Sequence, residues 1–148
     1  MLAWLLEGIH IVGFGIALGA LWARGHALHG TPYMDDVRRA FVADNLWNIG
    51  AILLVGSGIA QLLLGNAAKH GHFLGNHIYM AKLVMIGCIV LLEIMPMFTL
   101  IQWRLAVGRG DTIRFGSAAL IARISLLQTI LLVLITFASV ALRQGYGI

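Results

Sequence analysis

Charged residues are scarce in this sequence. It has ten lysines and arginines and six aspartates and glutamates, so 11% of its 148 residues are charged, against about 25% in ordinary soluble domains. A soluble domain of this size needs a polar surface, which so few charges cannot supply. The shortage excludes an ordinary soluble domain and indicates a chain that places much of its apolar surface against lipid.

Cysteines and nucleotide-binding motifs are also lacking. Cys88 is the single cysteine, which excludes an internal disulfide and any zinc or iron–sulfur site built from cysteines. Gly13, Gly15 and Gly19 lie inside one continuous apolar run, so they do not form a Rossmann or P-loop motif. The net charge of +4 comes from basic residues spread thinly around apolar segments, so nucleic acid is not an expected partner.

What the sequence does contain is four long apolar runs. A spanning helix needs about 20 mostly apolar residues, and lipid offers an isolated backbone no other hydrogen-bond partners. We therefore predict an all-α integral membrane four-helix bundle, a single domain over residues 1–148, with spans at about 2–22, 46–64, 79–103 and 121–142. No basic region precedes the first run, which favours a retained helix over a signal peptide.

The connection between the first two spans predicts a further element. Thr31 and Pro32 form a helix-start signal, and Met34, Val37 and Phe41 recur at helical spacing opposite charged side chains. This pattern predicts a short interfacial helix between spans one and two.

The distribution of basic residues predicts the orientation. Seven of the ten lie in or beside the first and third connections, namely Arg24, Arg38, Arg39, Arg104, Arg109, Arg114 and Arg123, and the other three are Lys69, Lys82 and Arg143. The positive-inside rule then puts both termini outside the cytoplasm. The expected location is the bacterial inner membrane, with the lipid bilayer and either complex subunits or further copies of the chain as partners.

Polar side chains inside the apolar runs mark candidate functional positions, because each is costly in lipid without a partner. They are Glu7, His10, Gln61, Lys82 and Glu93. In the predicted orientation the first four lie in the outer half of the bilayer, with Glu93 just below them near the midplane. We expect them to converge on a common cofactor or ligand.

Glu93 is the strongest single candidate. A carboxyl group near the midplane is either protonated or paired with a cation, and Lys82 and Arg123 are the expected partners. Pro96 follows three residues later and can open the helix beside the carboxylate.

A second polar group is expected in the inner half of the bilayer. It comprises Asn45 and Asn48 near the start of the second span, with Arg123 and Gln128 on the fourth.

Structural roles compete with functional ones at several of these positions. Glu7 can be hydrated near the membrane surface, and Lys82 and Arg123 can extend to the headgroups. The imidazole of His10 can serve as a structural hydrogen-bonding group instead of a ligand.

Small residues predict close helix packing. Gly8, Gly15 and Gly19 form one stripe on the first helix, and Gly56 and Ala60 repeat the spacing on the second.

Three histidines near the second connection form a weak metal-site candidate. His70, His72 and His77 give a His-x-His pair and a third imidazole, which suits copper, nickel or zinc. No cysteine or carboxylate in that connection completes the set, so a solvated, incidental cluster is the stronger interpretation.

Part of the sequence resembles the four-helix membrane haemoproteins of the oxygen-independent protoporphyrinogen oxidase type. The resemblance rests on Gly8-Ile9-His10-Ile11-Val12, on Gly19-Ala20-Leu21 with Arg24 and His29, and on Asn76 to Leu83. It implies a haem b cofactor with His10 as an iron ligand. That family has a histidine two positions before the lysine that corresponds to Lys82, and this chain has Met80 at that position.

A whole-length resemblance is to a bacterial family of predicted four-span membrane proteins of unknown function. It rests on Ala43-Asp44, Trp47, Gly50-Ala51, Gly58, Asn76, Lys82, Pro96 and Trp103-Arg104. That family often has Arg where this chain has Gln61 and Ser where it has Glu93.

Three functions stay open at this point. The first is a haem b-binding redox protein or oxidoreductase, with His10 on the iron and Lys82 near a propionate or an anionic substrate. The second is a non-enzymatic accessory or assembly subunit of a larger membrane complex. The third and weakest is transport of protons or metal ions through Glu93 and the outside histidines.

Overall fold

The computed structural model describes residues 2–64 and 75–147. Within them the chain forms four long α-helices, and a 3₁₀ turn at Phe115–Ser117 precedes the last; the helices are α1 (Leu2–Ala27), α2 (Met34–Leu64), α3 (His77–Arg109) and α4 (Ala118–Arg143). Each is long and apolar enough to cross a membrane, and no strand occurs in these ranges. The predicted all-α class is confirmed, and the four helices are candidate membrane spans, as the hydropathy predicts.

The helices pack with antiparallel neighbours. α1 packs against α2 and α4, and α4 packs against α3. The start of α1 lies beside the end of α4, where Glu7 forms an ion pair with Arg143, and the end of α1 lies beside the start of α4, where Arg24 meets Ser125. We call the first of these the termini end and the second, which carries the first and third connections, the connection end.

The predicted short interfacial helix is wrong, because its residues are the first turns of α2. The Asp36 carboxylate accepts a hydrogen bond from the Tyr33 backbone N–H at 2.8 Å and so caps the start of the helix. No glycine or proline interrupts the chain before the apolar part of α2. Val37 and Ala40 are buried in the bundle, so the apolar face packs on protein.

Two glycines let α1 and α2 approach closely. A Cβ on Gly50 would lie 2.6 Å from the backbone nitrogen of Ala17, and one on Gly13 would lie 2.8 Å from the Cβ of Leu53. Real Cβ atoms do not come so close to backbone, so only glycine fits at Gly50.

The predicted glycine stripe does not make this contact. A Cβ added to Gly8, Gly15, Gly19 or Gly56 would meet no neighbouring atom within 4 Å among the described residues. Small residues do bring the helices together, but at Gly13 and Gly50, on the other face of α1.

The buried apolar residues form two clusters, separated along the bundle by a polar layer. Toward the connection end the larger side chains are Leu28, Val37, Leu100, Trp103 and Ile121. Toward the termini end they are Leu21, Trp47, Ile89, Leu132 and Ile135. On every helix, residues that carry charge or hydrogen-bonding groups fall between the two clusters.

Candidate functional site

Arg24 lies at the centre of the polar layer, and none of its side chain is exposed. It donates two hydrogen bonds to the Glu93 carboxylate, at 2.7 and 2.9 Å. It also donates to Asp44 at 3.1 Å, to Ser125 at 2.9 Å and to Gln128 at 2.9 Å. A guanidinium group has five N–H donors, so these bonds leave Arg24 no donor for a further ligand.

The partners of Arg24 are themselves bound. The Gln128 amide donates to Glu93 at 2.8 Å and to the Ile89 carbonyl at 3.1 Å. Arg104 donates to the second carboxylate oxygen of Asp44 at 2.9 Å. We call this set the Arg24 cluster; its members are Arg24, Asp44, Glu93, Arg104, Ser125 and Gln128.

The Arg24 cluster ties all four helices together. Arg24 comes from α1, Asp44 from α2, Glu93 and Arg104 from α3, and Ser125 and Gln128 from α4. Two cations and two carboxylates cancel, so the layer carries no net charge. A bidentate arginine–carboxylate pair is the strongest kind of protein hydrogen bond, and removal of one partner leaves an uncompensated buried charge. The geometry is that of a structural clamp.

The predicted partners of Glu93 are wrong. Lys82 lies eleven residues earlier on the same helix, about 16 Å away along the axis, and Arg123 is exposed on α4. The partner is Arg24. It comes directly after the apolar run of α1, so the sequence places it in the first connection. Glu93 therefore belongs to the clamp and does not lie with the candidates at the termini end.

The predicted inner polar group is only partly present. Gln128 is fully buried in the Arg24 cluster. Asn45, Asn48 and Arg123 are exposed on their helices, because the buried faces of α2 and α4 present Asp44 and Ser125 instead.

His10 is held in one orientation at the other end of the bundle. The Ser57 hydroxyl donates to the Leu53 carbonyl at 2.5 Å, so its oxygen accepts from the Nδ1–H of His10 at 2.8 Å. The imidazole packs on Gly58, where an added Cβ would lie 3.6 Å from the ring. In neutral His10, Nε2 then carries the free lone pair.

The other candidates lie at the same end of the bundle as His10. Glu7 and Gln61 line a cavity of about 240 Å³ together with Arg143, which is also the ion-pair partner of Glu7. Lys82 lies near enough to act on His10 electrostatically. We call Glu7, His10, Ser57, Gln61, Lys82 and Arg143 the His10 group.

The His10 group is much less closed than the Arg24 cluster. In the described part of the chain no hydrogen bond joins any two of the four predicted residues Glu7, His10, Gln61 and Lys82. They share one end of the bundle, as predicted, but each keeps bonding capacity.

The histidine metal site lies largely outside the described residues, because His70 and His72 fall between 64 and 75. His77 is exposed at the first residue of α3. Across residues 2–64 and 75–147, no group of three or more His, Cys, Asp or Glu side chains is placed to hold a metal ion.

Sequence reasoning missed Arg24, Asp44, Arg104 and Ser57 as site residues. Asp44 and Arg104 could have been found, because each closes a motif quoted above for the whole-length resemblance, Ala43-Asp44 and Trp103-Arg104. Arg24 could have been found by asking which cation neutralises Asp44, just before the second apolar run, and Glu93, within the third.

The chain belongs to a family of predicted membrane proteins, DUF2214, whose family model matches residues 2–147. This agrees with the whole-length resemblance. Comparison with curated proteins and with solved structures gave no match, and nothing in the comparisons supports similarity to the protoporphyrinogen oxidase type.

Proposed function

We propose that this membrane protein binds haem b at its termini end and acts in redox chemistry, with His10 as an iron ligand. The observation that carries the proposal is the hydrogen bond from His10 Nδ1 to Ser57. Metal-binding histidines almost always donate their second ring N–H to a fixed acceptor, which sets the tautomer and the ring orientation. Ser57 provides that acceptor and leaves Nε2 to ligate.

The charged residues near His10 suit the carboxylate substituents of a haem. Lys82 and Arg143 bring positive charge close to the imidazole, where carboxylate substituents of a macrocycle would be neutralised. His10 would supply one ligand to the iron. When bound, the haem would supply one-electron chemistry, while the chain fixes the ligand and the nearby charge.

An absorption spectrum tests this proposal. Protein purified from haem-replete cells should show a Soret band that is lost in His10→Ala. His77→Ala, which removes an exposed histidine at the start of α3, should keep the band. Wild-type protein without a Soret band, or a band that survives in His10→Ala, would refute haem ligation by His10.

The second candidate function is that of an accessory subunit in a larger membrane complex. It is favoured by the open face of α1, where Gly8, Gly15 and Gly19 have room for an approaching helix. Gently solubilised protein should then migrate with a partner and lose it in Gly15→Leu. Gly87→Leu is the control, since Gly87 is an equally open glycine on α3. If the wild-type protein and both variants all migrate as single chains, this function is excluded.

The transport function has lost its principal residue. Both carboxylate oxygens of Glu93 accept hydrogen bonds from Arg24, so Glu93 does not offer a free carboxyl group to a permeating ion.

A further inference from the structure

A cleft opens between the last turn of α1 and the first turns of α4. Its volume is about 440 Å³, and its walls include Trp22, His26, His29, Arg123 and Leu126. Gly25 brings α1 against α4 beside it, since a Cβ there would lie 3.2 Å from the Cβ of Ser125. The cleft is thus a feature of helix packing, distinct from the Arg24 cluster and at the opposite end from the His10 group.

The polar side chains of the cleft are an arginine and two imidazoles. No aspartate or glutamate contributes to its walls, and Arg123 has no ion-pair partner in the described ranges. Elsewhere in these ranges Arg24, Arg39, Arg104, Arg109 and Arg143 have carboxylate partners. Arg38 and Arg114 have none among the described residues, as Arg123 has none, but neither of them lines the cleft. Arg123 is therefore a cation beside a cleft that still lacks its anion.

The depth of the cleft matches the headgroup layer. α1 has 26 residues and is about 39 Å long, against about 30 Å for the hydrocarbon core. A helix of this length centred on the core extends about 4–5 Å beyond it at each end, which would bring its last turn to the level of the lipid phosphates. The stacked rings of Trp22 and His26, 5.1 Å apart between centroids, form a flat interfacial wall of the kind common at that depth.

An apolar track leads away from the cleft into the membrane. Leu126 and Ile130 lie on the same side of α4 as Arg123 by helix spacing, and they are 56% and 49% exposed. The acyl chain of a lipid can pack on these apolar side chains, whereas a free phosphate ion makes no apolar contact with them.

We infer that this cleft binds the phosphate group of an anionic phospholipid, with Arg123 as its main contact. His26 and His29 can donate further hydrogen bonds to the phosphate, and the acyl chain packs along Leu126 and Ile130. Basic pockets between membrane helices are suited to such headgroups. The lipid would fill the side of the α1–α4 junction that the protein leaves open.

Native mass spectrometry of the detergent-solubilised full chain, titrated with phosphatidylglycerol or phosphatidylcholine, tests this inference. Phosphatidylglycerol should bind more tightly than phosphatidylcholine. Arg123→Gln should weaken phosphatidylglycerol binding about tenfold, because one charge-assisted hydrogen-bonding group is lost. His29→Gln, beyond the end of α1, should weaken it less.

Arg38→Gln is the matched control. Arg38 is exposed and lies outside the cleft, so the same loss of charge should leave lipid binding unchanged. Equal weakening by Arg38→Gln, no weakening by Arg123→Gln, or equal affinity for the two lipids would overturn the assignment. Displacement of the lipid by inorganic phosphate would identify a soluble anion as the ligand and would overturn it as well.

Discussion

The Arg24 cluster and the His10 group differ in how fully their polar groups are hydrogen-bonded. In the Arg24 cluster every donor of Arg24 has an acceptor, and both carboxylates are shared between neighbours. In the His10 group Lys82 and Gln61 have no hydrogen bond within the described residues, and His10 uses one ring nitrogen. The Arg104 Nε–H is the one buried side-chain donor of the Arg24 cluster without a partner in the described residues. The nearly complete network of the Arg24 cluster stabilises the fold, whereas the His10 group keeps unused polar groups for the proposed ligand.

The comparison shows that a buried charge in a membrane protein is not by itself a functional site. Such residues are functional candidates by default, and Glu93 is the candidate that this rule selects first. Its contacts assign it to the clamp instead. The proposed ligand site rests instead on unused hydrogen-bonding capacity, as at His10.

Loss of Arg24 should give the largest effect on stability. Arg24→Met leaves Glu93 buried without a cation, and we expect the free energy of unfolding to fall by about 3–5 kcal/mol. Reversible unfolding in mixed detergent micelles measures this change. Arg38→Met, at an exposed position, should change it by less than about 0.5 kcal/mol, and similar losses in both variants would show that the Arg24 cluster is not special.

The glycine contact between α1 and α2 should give the next largest effect. Gly50→Ala places a Cβ 2.6 Å from the Ala17 backbone, so the helices must separate, at a cost of about 1–3 kcal/mol. Gly15→Ala meets no neighbour and should be neutral or slightly stabilising because alanine favours helix. Thermal unfolding of the two variants in the same detergent compares them directly, and a larger loss in Gly15→Ala would contradict the packing of α1.

Ser57→Ala should have a smaller effect on stability and a distinct effect on His10. Loss of one hydrogen bond costs about 1 kcal/mol, but the imidazole also loses the acceptor that orients it. If His10 ligates haem, the Soret band should shift or weaken while the unfolding transition moves little. An unchanged spectrum in a haem-containing Ser57→Ala protein would show that Ser57 does not position the ligand.

The ion pair between Glu7 and Arg143 should contribute least to stability. Their side chains are 44% and 70% exposed, and exposed pairs contribute about 0–1 kcal/mol. Glu7→Gln should therefore leave the unfolding free energy nearly unchanged. A loss as large as that of Arg24→Met would mean that the His10 group is as closed as the Arg24 cluster.

The sequence predicts the helices well because length and hydropathy suffice for membrane spans. It fails at the start of α2, where Asp35, Arg38 and Arg39 suggest a surface helix although Val37 and Ala40 on the other face are buried. Periodicity identifies the two faces of a helix but not which neighbour covers them.

The same limit explains the errors at the site. Gly8, Gly15 and Gly19 form one stripe and Gly13 and Ala17 form another, and local spacing cannot say which stripe meets α2. Likewise the pairing of Glu93 with Arg24 joins residues 69 positions apart, which depends on how α1 and α3 are placed in the bundle.

A double-mutant cycle between Arg24 and Glu93 tests the role of the clamp most directly. The unfolding free energies of Arg24→Met, Glu93→Met and the double variant are measured in the same micelles. If the buried pair holds the bundle closed, the double variant should lose less stability than the two single losses combined, by about 1–3 kcal/mol. Losses that add to within about 0.5 kcal/mol would show that the two residues do not interact in the folded protein.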